Sequence, residues 1–298
     1  MKLLICTQTV DSQDSHLGFF VRWIEEFAKH CEKVTVICLR EGKHELPANV
    51  KVYEIGKAIG GMQKAVRLVS LVWRLRKEYD AVFVHMNPEY IVVAGVFWRL
   101  MHKRIALWYT HKSVNLKLRI ATLLAHVVFT ASKESFRLKS NKVKVMGHGI
   151  DTDFFSPDQT AARGDWALSV GRLMKSKRHD LAIRATVQED KELRIIGDGP
   201  EQRHLEALVH ELGARVRFLG GLTQAQLRNE YRKAAYLIHT SETGSLDKVV
   251  LEALACGMHI HTNDTALKTL ENESPEYVRE HHSLQRLVPA ILNALQTV

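Results

Sequence analysis

Three short segments in the second half of the chain combine glycines, cations and carboxylates in patterns that could handle a phosphorylated ligand. At Val170-Gly171-Arg172-Leu173 an apolar run stops at a glycine, and Arg172 and Lys177 follow before a helical pattern begins. Strand-end N–H groups beside two cations suit a diphosphate; taken alone, the same residues also read as solvated charges beside a turn. At Ile196-Gly197-Asp198-Gly199-Pro200-Glu201, Gly197 and Gly199 would let a ligand approach the backbone, and Pro200 suits the first turn of a helix. A purely structural turn has the same composition. The third segment runs Ser241-Glu242-Thr243-Gly244-Ser245-Leu246-Asp247 and opens the helical stretch KVVLEALACG. Free N–H groups and the positive end of a helix dipole make an anion site. Glu252 stands inside this apolar helix, where a carboxylate is costly unless it has a partner or faces water.

The elements that must carry these segments alternate between two periods. Residues 2–7, 33–39, 50–54, 81–85, 104–109, 126–131 and 142–146 read as strands, with amphipathic stretches such as 18–30 and 62–79 between them. A polar break, SPDQTAARGD, follows at residues 156–165. The alternation then restarts, with strands at 166–170, 193–196, 216–219, 236–239 and 259–262 and helices at 176–187, 201–212, 224–234 and 248–256. Such alternation means βαβ units and parallel sheets covered by helices. The expectation is two Rossmann-like, doubly wound α/β domains, residues 1–158 and 159–298, facing a central cleft at their sheet edges. Residues 263–282 read as polar and irregular, and 284–295 return to helical periodicity.

The chain has 298 residues and a formal net charge of +9. The charge is uneven: residues 1–150 hold 24 Lys/Arg and 12 Asp/Glu, and the rest is slightly acidic. A basic half asks for an anionic partner. Residues 62–77 place Met62, Val66, Val69 and Trp73 at helical spacing, with Lys64, Arg67, Arg74 and Lys77 interleaved. This reads either as a helix lying in an anionic membrane surface or as an ordinary core-facing helix with solvated lysines. No nucleic-acid signature accompanies the charge, so no nucleic-acid partner is expected. Cys6, Cys31, Cys38 and Cys256 lack metal or redox spacing and read as buried thiols in a reducing compartment. The longest apolar run, residues 90–98, is too short to span a bilayer. A cytoplasmic protein is expected, peripheral on the inner membrane face if the basic helix binds lipid.

Taken together and in order, VGRLMKSK, GDGP and LEALACG resemble the retaining GT-B glycosyltransferases of family 4, also called glycosyl transferases group 1. Gly147-His148-Gly149-Ile150-Asp151 resembles that family's interdomain turn. The resemblance implies transfer of a sugar from a nucleoside diphosphate donor, UDP- or GDP-linked, with retention of configuration and without metal or cofactor. It implies that Arg172 and Lys177 bind the donor diphosphate, with Gly171, Gly197 and Gly199 in the same loops, and that Glu252 holds the ribose hydroxyls. Backbone N–H groups of Ser245 and Leu246 would face the phosphates. Gly18 would face donor and acceptor, and His111, in WYTH, would contact the transferred sugar.

Two features depart from the family pattern. The glutamate usual eight residues before Glu252 is Gly244; Glu242, two residues further back, or Asp247, downstream, could substitute for it, or neither does. The segment after ALACG lacks the family's proline and looks trimmed. A catalytically weak nucleotide-sugar-binding protein and a nucleotide-sugar epimerase of the same fold are the alternatives. Asp151-Thr152-Asp153 is formally a DxD metal motif, but it lacks the context of one.

Overall fold

The computed structural model describes residues 1–241 and 246–297. The strands are β1 (Lys2–Val10), β2 (Lys33–Glu41), β3 (Val50–Glu54), β4 (Ala81–His85), β5 (Arg104–Trp108), β6 (Val127–Thr130), β7 (Val143–Val145), β8 (Ala167–Val170), β9 (Leu193–Ile196), β10 (Val216–Gly220), β11 (Tyr236–His239) and β12 (His259–Thr262). The helices are α1 (Phe19–His30), α2 (Gly61–Arg74), α3 (Glu89–Leu100), α4 (Leu116–Leu124), α5 (His179–Gln188), α6 (Gln202–Leu212), α7 (Gln224–Lys233), α8 (Lys248–Ala255), α9 (Pro275–His282) and α10 (Leu284–Gln296). The chain divides into two compact units, Met1–Gly149 with Leu284–Val298, and Ile150–Ser283.

The first unit holds a parallel sheet in the order β3-β2-β1-β4-β5-β6-β7. Its central strands are mostly apolar, as parallel strands covered on both faces must be; every residue of AVFVH in β4 is buried. One face packs on α1 and α10, where Phe20, Trp23, Ile24 and Phe27 meet Leu284, Leu287, Val288, Ile291 and Leu295. The other packs on α2, α3 and α4 through Leu68, Val72, Ile91, Trp98, Leu118 and Ala121. The second unit repeats the architecture with the order β10-β9-β8-β11-β12. Its faces are covered by α5 and α6 on one side and by α7, α8 and α9 on the other.

Three observations differ from the reading of the sequence. The division falls at Gly149 rather than at 158, and the last helix packs in the first unit instead of the second. Residues 263–282, which read as irregular, contain a 3-10 turn at Lys268–Asn272 and helix α9, whose single fully buried residue, Val278, is too little for an apolar period. Helix α2 buries Leu68 and Val72, yet leaves Met62, Val66 and Trp73 exposed. All four cysteines are buried free thiols. Among the described residues no helix is long and apolar enough to cross a membrane.

Candidate functional site

In the second unit the order of strands reverses between β8 and β11. Open parallel sheets bind ligands outside the carboxyl ends of the strands at such a reversal. Gly171, Arg172 and the 3-10 turn Lys175–Lys177 follow β8, and Thr240 follows β11. The Thr240 hydroxyl ties the two ends together, lying 3.0 Å from the Lys177 carbonyl and 2.7 Å from that of Arg178. Arg178 itself sits at φ +50°, where the turn swings into α5.

Lys177 is held as well as placed. Its ammonium donates to Asp247 Oδ2 at 2.6 Å, and His239 Nε2 donates to the same oxygen at 2.9 Å. His239 Nδ1 lies 3.1 Å from the Thr262 hydroxyl, so the chain of contacts reaches from β12 to the turn after β8. Burial alone would raise the Asp247 pKa, but the His239 hydrogen bond and the Lys177 charge outweigh it and hold this carboxyl well below the usual carboxylate range. Nearby His179 is buried, with Nδ1 2.8 Å from the Ser169 hydroxyl, and burial lowers its pKa to about 4.

Gly197 and Gly199 have a structural role in the loops that carry them. A Cβ on Gly197 would stand 2.0 Å from the Gly171 carbonyl oxygen, and one on Gly199 would stand 2.4 Å from that of Leu173. Both glycines have positive φ. Leu173 N–H donates to Asp198 at 2.8 Å and Glu201 N–H to Leu173 at 3.0 Å, so the VGRL and GDGP loops are laced backbone to backbone. The glycines permit this close approach of loop to loop. Arg172 is left exposed.

Glu252 is 1% exposed, which removes the solvated-face alternative. Its carboxylate pairs with Lys248 at 2.8 Å, one helical turn earlier, and accepts from the Tyr231 hydroxyl at 3.4 Å. Burial and the Glu252 charge push the Tyr231 pKa well above its ordinary value. Leu246 is half-buried. Glu242, Thr243, Gly244 and Ser245 lie outside the described residues.

Of the residues singled out in the sequence, Gly171, Arg172, Lys177, Gly197, Gly199, Asp247 and Glu252 therefore belong to the second unit. Gly18 and His111 belong to the first. Gly18 is buried against its own loop, where a Cβ would meet the Asp14 carbonyl at 2.5 Å. His111 is exposed just past β5, with Nδ1 2.8 Å from the Ser113 hydroxyl. Asp151 spends its Oδ1 on the N–H groups of Asp153 and Phe154, at 3.3 and 3.2 Å. Among the described residues no group of three or more His, Cys, Asp or Glu is arranged to hold a metal. His239 and Thr240 were missed; their only signal was polarity directly at a strand end.

Comparison with known proteins agrees with this architecture. Residues 153–294 match the family described as glycosyl transferases group 1. The GPI3 subunit of phosphatidylinositol N-acetylglucosaminyltransferase from Saccharomyces cerevisiae is 28% identical over 138 residues, 43% of this chain and 30% of that relative. D-inositol 3-phosphate glycosyltransferase from Mycobacteroides abscessus is 32% identical over 133 residues, 39% of this chain and 30% of that relative. The chain thus spans less than a third of the length of these relatives. Among solved structures, Anabaena Alr3699/HepE with UDP superposes with a TM-score of 0.74 at 17% identity, covering 100% of both chains. Sucrose-phosphate synthase from Thermosynechococcus elongatus gives 0.75 at 13% identity, covering 100% of this chain and 99% of that one. The chain has the GT-B fold, and its residues 153–294 are similar to the glycosyl transferases group 1 family.

Proposed function

We propose that the protein is a retaining glycosyltransferase that moves a sugar from a UDP- or GDP-linked donor to an acceptor hydroxyl without a metal ion. The observation that carries this is the Lys177 ammonium, anchored by Asp247 at the strand-order reversal of the second sheet and accompanied by exposed Arg172. As the bond from the sugar C1 to the diphosphate breaks, negative charge grows on the leaving oxygen. Two cations and the N-terminal end of α8 stabilise that charge, and fixed charges of this kind supply a large share of catalysis. The acceptor oxygen bonds C1 on the face that the diphosphate leaves, and its proton passes to the diphosphate. Glu252 binds the ribose. Solved structures of Alr3699/HepE with UDP and with UDP-glucose support the donor class.

The outward sides of α2, α3 and α4 support an accompanying role at an anionic membrane surface. They expose Met62, Val66, Trp73, Val96, Phe97, Leu100, Leu116 and Leu123 on the basic half of the chain. Calorimetry with UDP and GDP in EDTA, followed by turnover of their sugars, tests the transferase reading. Binding of one nucleotide and a product with the donor's anomeric configuration are expected. Failure of both nucleotides to bind, an inverted product, or activity restored only by manganese would overturn it.

A further inference from the structure

The first sheet has its own reversal, between β1 and β4, since β2 and β3 lie on one side of β1 and β4 to β7 on the other. Outside the carboxyl ends of these two strands lies a cavity of about 400 Å³. Its walls are mainly apolar: Leu39 from β2, Ile55 after β3, Ala65 and Leu68 from α2, Tyr90 and Val93 from α3. The Tyr90 hydroxyl donates to the Thr7 carbonyl at 2.7 Å, fixing α3 against β1. At the rim an amide pair bridges the reversal itself: Gln8 of β1 donates through Nε2 to Asn87 Oδ1, just past β4, at 2.7 Å. Among the described residues, the second half of each amide, one carbonyl and one NH2, has no further partner. Lys64 and Glu89 line the same cavity, and Glu89 pairs with Lys117 at 3.0 Å.

We propose that this crevice binds an amphiphile, with a hydrocarbon chain in the cavity and a hydroxylated, uncharged head on Gln8 and Asn87. The volume lies within the range of about 300–1,000 Å³ usual for small-ligand sites. A mainly apolar wall with one acceptor and one donor at its edge fits a chain bearing a sugar or polyol better than a free sugar, whose many hydroxyls would meet Leu39, Ile55 and Leu68. The identification of this amphiphile as the acceptor rests on the transferase reading; its binding does not.

The test uses the full chain and alkyl β-glucosides below their micellar concentrations, followed by calorimetry. Octyl glucoside should bind where glucose does not, and affinity should rise by up to about fourfold for each added methylene from heptyl to nonyl. Ala65→Phe and Val93→Phe, each filling the cavity from a different helix, should weaken binding at least tenfold. Gln8→Ala should weaken it severalfold while keeping the dependence on chain length. Unfolding midpoints establish which variants are folded, and UDP and GDP binding should be unchanged in them. Equal binding of glucose and octyl glucoside, no binding of either, or folded cavity-filling variants with wild-type affinity would overturn the proposal. A protein that binds octyl glucoside but turns over no donor sugar would overturn the transferase reading alone.

Discussion

Replacing Lys177 by alanine should lower both stability and transfer, and a second substitution should separate the two losses. Lys177 and Asp247 are 21% and 20% exposed in their side chains and meet at 2.6 Å. Hydrogen bonds to charged groups contribute about 1.5–3 kcal/mol. Lys177→Ala leaves Asp247 ionised with only His239 against it, so a destabilisation toward the upper part of that range is expected. Transfer should fall by a factor of about 100–1,000, the usual result of removing one contact made to developing charge. Adding Asp247→Asn removes the stranded carboxylate while keeping its shape and an acceptor for His239. The double variant should regain at least half of the lost stability and none of the lost transfer. Urea unfolding reads the first quantity, and release of UDP or GDP from their sugars reads the second. If Lys177→Ala turns over within a few-fold of the parent, or if the double variant recovers activity along with stability, Lys177 does not act on the diphosphate.

Gly197→Ala should cost more than the roughly 1–3 kcal/mol of a strained backbone, because its Cβ would also stand 2.0 Å from the Gly171 carbonyl. Gly213→Ala, with positive φ but nothing within 4 Å, is the control and should cost less; equal urea midpoints would refute the lacing of the two loops. His179 has its pKa lowered by burial from 6.5 to about 4. Below pH 6.5 the unfolded chain takes up this proton more readily than the folded one. The stabilisation from keeping His179 neutral is thus fully present above pH 6.5 and falls away toward pH 4, by up to about 3 kcal/mol. His179→Gln should flatten the stability profile in that window, and an unchanged profile would show that other groups set it. Sedimentation with vesicles should occur for anionic but not neutral lipid and weaken with salt, since charge is screened over about 10 Å at 0.1 M. Leu100→Ser with Leu123→Ser should reduce it; equal binding to neutral vesicles would rule out the basic surface as the cause.

What the sequence made legible follows from how far apart the interacting residues are. β4 and β5 are nearly continuous apolar runs, and α1 repeats its buried residues at helical spacing, so each element declares itself locally. Periodicity says which side of a helix is buried but not against what. Helix α10 showed a clear apolar face, and nothing in it distinguished the second sheet, which precedes it in the chain, from the first, on which Leu287 and Ile291 pack. Gly197 illustrates the same limit: its residue type announced a close approach, while the group approaching turned out to be the Gly171 carbonyl. The candidate site is the extreme case. Lys177 and Asp247 stand 70 residues apart, and His239 joins them from a third segment. Each taken singly reads as a surface charge or a strand-end polar residue. Only a parallel sheet whose order reverses between β8 and β11 brings their chain ends to one edge. The half-buried carboxylate then has a definite physical consequence: it fixes the ammonium in place, so under the proposed function little side-chain entropy would remain to be lost when Lys177 met a diphosphate. That saving is available only while Asp247 is ionised, and the two groups beside it, His239 and Lys177, are the ones that keep it so.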